Sequence, residues 1–108
     1  MAQINIEISD ELVGKLVSFE PHLPAVLDLA LFGFVTPVAQ YVGELIEFLT
    51  KATPDQVRDY HLPETVQARM ARLLAVERTG MLSDDERMEL DEMQRVERFL
   101  IVIKGDKI

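Results

Sequence analysis

Apolar and polar residues alternate at the start of the chain. Ile4, Ile6 and Ile8 stand between Gln3, Asn5 and Glu7, the period-two pattern of a strand with one buried face. The chain offers this strand no obvious partner. Ser9-Asp10-Glu11 then supplies N-cap chemistry and early negative charge, and Leu12, Val13, Leu16, Val17 and Phe19 follow at helical spacing, which predicts a first helix from about Asp10 to Phe19. Pro21 and Pro24 bracket a turn. From Pro24 the chain reads Ala25-Val26-Leu27-Asp28-Leu29-Ala30-Leu31-Phe32, apolar around almost the whole helical circumference. Burying roughly seven large side chains here would contribute ~10 to 20 kcal/mol of gross transfer energy, more cover than one short helix lying across them can provide. Self-association is the simplest answer.

The remaining pattern is helical. Thr36-Pro37 resembles an N-cap followed by proline at the first helical position, and Val38, Val42, Leu45, Ile46 and Leu49 form a stripe opposite Gln40, Glu44, Glu47 and Lys51. Thr53-Pro54-Asp55 repeats that start signal for a short turn. Leu62-Pro63-Glu64 begins a longer helix carrying Val66, Met70, Leu73 and Leu74, which Gly80 ends. In Ser83-Asp84-Asp85-Glu86 the serine can accept from the third helical amide while Glu86 reaches back to the serine amide, a capping box. The final helix carries Met93, Val96, Leu100 and Ile103 as a short heptad-like seam, with Phe99, Ile101 and Val102 widening its apolar end. The fold class expected is mainly α: a short N-terminal strand followed by about five helices.

Composition narrows what such a chain can do. With 108 residues, 48% of them hydrophobic and 28% charged, there is apolar surface enough for one compact domain and no room for two enzyme domains. The absence of cysteine removes disulfides, thiolate metal sites and thiol nucleophiles. No signal peptide opens the chain, and the apolar stretch from Leu29 to Ala39 is broken by Gly33, Thr36 and Pro37, so the sequence predicts a cytoplasmic protein that does not enter a membrane. His22 and His61 sit beside prolines in predicted turns, and Pro63 breaks the helix that would bring His61 and Glu64 together on a metal. Ser9 and Ser83 have capping roles, and the five glycines are isolated from one another, so neither a catalytic triad nor a phosphate loop is expected. The sequence therefore predicts no catalytic, metal-binding or cofactor-binding residues. Net charge is −8, and residues 1 to 35 set one lysine against five carboxylates, a local charge of −4 that repels a phosphate backbone.

Gln3 to Ser9, Asp10 to Phe19 and Pro24 to Val35 together resemble a ribbon-helix-helix unit. The resemblance implies that two chains pair their strands into a ribbon and that their second helices form the dimer core, with Ile4, Ile6, Ile8, Val26, Leu27, Leu31, Phe32 and Phe34 at the interface. It also implies that Gln3, Asn5 and Glu7 would face DNA. The basic residues usual beside such a ribbon are absent here, and Glu7 opposes phosphate, so DNA binding is not expected. The segment from Gly80 to Asp91 is similar to the ending of short bacterial antitoxin-like proteins. That similarity implies residues 1-35 as a dimerisation unit joined to residues 36-108 as a helical region that binds a basic partner such as a toxin.

On this reading Glu86, Glu89 and Glu92 steer the partner, while Met93, Val96, Phe99 and Leu100 supply desolvated contacts. The competing expectation is that the last helix packs on Val38 to Leu49 of its own chain. A helical adaptor or assembly subunit and, less favoured, a ribbon-helix-helix DNA-binding regulator are the alternative functions.

Overall fold

A computed structural model describes residues 2 to 105, apart from the side chains of Ser18 and Phe19. Six α-helices follow one another: α1 (Asp10–Leu16), α2 (Leu23–Leu31), α3 (Val38–Leu49), α4 (Pro54–Asp59), α5 (Glu64–Arg78) and α6 (Asp84–Ile103). A 3-10 segment, Val17–His22, joins the first two. Local chemistry explains most of the boundaries. Ser9 accepts from the Leu12 amide at the start of α1, and Thr53 with Gln56 and Ser83 with Glu86 close reciprocal capping boxes at α4 and α6.

Three expectations need correction. Among the described residues there is no strand: Gln3 to Ile8 has no regular structure, because a strand exists only in a hydrogen-bonded ladder and the single chain supplies no second edge. The first helix stops at Leu16 and tightens to 3-10 geometry, since Pro21 lacks an amide donor and disfavours helical geometry in the residue before it. The second helix ends at Leu31 rather than Val35, and Gly33 turns the chain with φ +84°, a conformation that a side chain would strain.

α6 is the axis of the molecule. Leu90, Met93, Val96, Phe99, Leu100 and Ile103 are buried along it, and α2, α3 and α5 pack against it with Val26, Leu29, Val38, Val42, Leu45, Leu49, Met70 and Leu73. α2 thus shares one core with the helices that follow residue 36. Its apolar circumference is covered on one side only: Val26 and Leu29 are buried, while Leu27 and Leu31 face solvent. α1 contributes no buried residue at all. No described helix is long and apolar enough to cross a membrane.

Candidate protein-protein interface

The apolar residues of the N-terminal third split into two groups. Ile4 and Ile6 are 86% and 74% exposed, Leu31 is 81% exposed, and Leu12, Val13, Val17, Leu27 and Val35 are also open to solvent. Ile8 and Phe34 are half-buried. Val26 is buried within its own chain, so it is not available to a second copy. Phe32 lies between: its ring meets Phe34 edge to face at 4.8 Å and carries the Arg95 guanidinium 3.8 Å from its centre. Arg95 also approaches Asp28 at 3.6 Å, so α6 holds the end of α2 by charge as well as by packing.

Below this face the α2–α3 loop is clasped by Glu92. Its carboxylate accepts from the Val35 amide at 2.9 Å, the Thr36 amide at 3.2 Å and the Thr36 hydroxyl at 2.6 Å. Thr36 Oγ1 in turn accepts from the Val38 amide and so helps start α3. Glu92 is 2% exposed, a buried charge made tolerable by these donors.

This arrangement corrects the expected partner surface on α6. Glu92, Met93, Val96, Phe99 and Leu100 are all buried inside the chain, because α6 spends its apolar seam on α2, α3 and α5. Packing on Val38 to Leu49 of the same chain accounts for part of that burial. Glu86 and Glu89 are half-buried and committed locally. Glu86 accepts from the Ser83 amide, which with the Ser83 hydroxyl holds its carboxyl below the ordinary glutamate range. Glu89 accepts two bonds from Arg69, at 2.8 and 3.0 Å, and raises the guanidinium pKa above its usual value. What α6 leaves to solvent near its start is Asp84, Asp85, Met88 and Asp91, beside exposed Met81.

The Glu92 clasp and the Arg95 stack were not anticipated from sequence, although a signal exists. Positions 92, 96, 99 and 103 form one helical stripe whose last three members are apolar, so a carboxylate at its head needs buried donors. Away from this region, Tyr41 and Tyr60 share a hydroxyl contact of 2.6 Å, and burial followed by that hydrogen bond pushes the Tyr41 phenol well above the ordinary tyrosine range. Lys104 donates to the Tyr60 carbonyl at 2.9 Å and closes one end of a groove of about 490 Å³ between α5 and α6. Among the described residues no cluster of three histidine, aspartate or glutamate side chains is placed to hold a metal. No family model, curated protein or solved structure matches the chain.

Proposed function

We propose that this chain is a non-catalytic protein-protein interaction module that self-associates through its N-terminal face and presents an acidic helical surface to a basic partner, in the manner of an antitoxin. The observation that carries the reading is the distribution of unburied apolar surface. Among the described residues, nine of the twelve exposed large apolar side chains lie between Ile4 and Val35. Apolar surface left open in one part of a chain favours an interaction site there.

The dimensions of the chain support it. The chain exposes 8053 Å², whereas a folded monomer of 12.3 kDa exposes roughly 6,100 Å². The excess of about 1,950 Å² is ample for an interface that takes about 800 Å² from each partner. In a second copy the Gln3 to Ile8 segment would also find the antiparallel edge it lacks, which is the pairing that the ribbon-helix-helix resemblance implies.

The acidic surface is the start of α6. Asp84, Met88 and Asp91 stand at i, i+4 and i+7 on one exposed face, combining charge that accelerates encounter with a basic protein and an adaptable apolar contact that slows release.

Sedimentation velocity tests the self-association. The wild-type chain should sediment as a dimer at micromolar concentration, and Leu31→Asp should be a folded monomer, since the new charge is solvated until a second copy covers it. A wild-type monomer throughout that range would overturn the reading.

A further inference from the structure

We propose that Glu92 is a positioning residue for self-association, setting the angle at which α2 presents Leu27 and Leu31 to a second copy. This rests on the self-association reading above. The link between α2 and α3 is short, and at Gly33 it adopts a backbone conformation that no side chain restrains. α2 enters the core through two buried side chains, Val26 and Leu29, with Leu23 and Ala25 packed partly against it. These contacts stop at Leu29, and Ala30 and Leu31 beyond it are exposed, so packing alone leaves the C-terminal end of the helix unheld.

The missing constraint comes from α6. Glu92 takes all three nearby donors of Val35 and Thr36, and one turn later Arg95 covers Phe32 and reaches Asp28. The two residues therefore grip the loop and the C-terminal end of α2 together. An apolar residue at position 92 would continue the Val96, Phe99 and Ile103 stripe without the desolvation cost of a carboxylate. The charge is explained by what it holds in place.

The experiment compares wild type, Glu92→Gln, Thr36→Val and Thr36→Ser by sedimentation, with hydrogen exchange followed segment by segment. E92Q turns amide donors toward donors, T36V removes one hydroxyl, and T36S keeps every bond. E92Q and T36V should each weaken association about tenfold, the size expected for lost hydrogen bonds to a buried carboxylate, and T36S should restore it. Amide protection should fall in residues 23 to 35 and stay unchanged in α5. If E92Q fails to fold, T36V carries the comparison. A wild-type dimer whose variants associate as tightly overturns this inference alone, and so does a loss of protection that extends equally through α5, which would mark a general structural role. A wild-type monomer overturns the self-association reading and this inference with it.

Discussion

Leu73 is wholly shielded from solvent on α5, and Leu73→Ala should cost about 2 to 5 kcal/mol because the surrounding helices cannot close the space it leaves; urea denaturation measures it. Its burial was legible from the apolar spacing of Met70, Leu73 and Leu74. Glu86 behaves differently, since its role is electrostatic and local. The Ser83 amide and hydroxyl stabilise its ionised form, so the folded pKa lies below the unfolded one. The support it gives to the start of α6 is therefore complete above the ordinary glutamate range and is lost as pH falls through the lowered value. An NMR titration should place the Glu86 midpoint below that of a glutamate in an unfolded peptide. The Ser83 and Glu86 pairing could be read directly from sequence because its partners are three residues apart. Glu92 could not, since its donors lie 56 and 57 residues away.

At the scale of elements, periodicity located five of the six described α-helices, read α4 as a short turn and misjudged two ends. Short-range signals such as Thr53-Pro54 and Ser83 with Glu86 set starts reliably, whereas the ends of α1 and α2 depend on where Pro21 and Gly33 redirect the chain. The all-round apolar reading of α2 was correct as composition, yet only one side of the helix is covered. α1 shows the opposite case: amphipathic by pattern, it has no fully buried residue, and Leu16 packs only partly against the core. A helix of seven residues is marginal alone, and the proposed second copy would supply the cover it lacks. Removing residues 1 to 16 should leave helices α2 to α6 folded, with a melting temperature close to that of the full chain at low concentration, while abolishing association; circular dichroism and sedimentation together check both halves.

The whole molecule is elongated, 50 × 29 × 26 Å, with a radius of gyration of 15.7 Å where a compact chain of this length has about 13 Å. That shape goes with one long helix, α6, and with a segment from Gln3 to Val17 in which no residue is fully buried. The charge distribution belongs to the same scale. Residues 1 to 35 carry −4 within a total of −8, so the face expected to meet DNA in a ribbon-helix-helix protein would neutralise almost no phosphates. A gel shift at physiological salt should therefore show weak retention or none. Nanomolar, sequence-selective retention would show that a partner or the α5 arginines Arg69, Arg72 and Arg78 supply the missing cations.

The amino-acid sequence by itself determined the helical class, the helix starts, the apolar stripes and the absence of thiol chemistry, because propensity, capping and periodicity act within a few residues of the chain. Tertiary structure alone decided which apolar faces were spent. The seam of α6, from Met93 to Ile103, is consumed by α2, α3 and α5, so the surface that looked ready for a partner is core, while Leu27 and Leu31 stay open. Burial is a competition among faces distributed over the whole chain, and an amphipathic pattern records only that a face seeks cover, not which neighbour provides it.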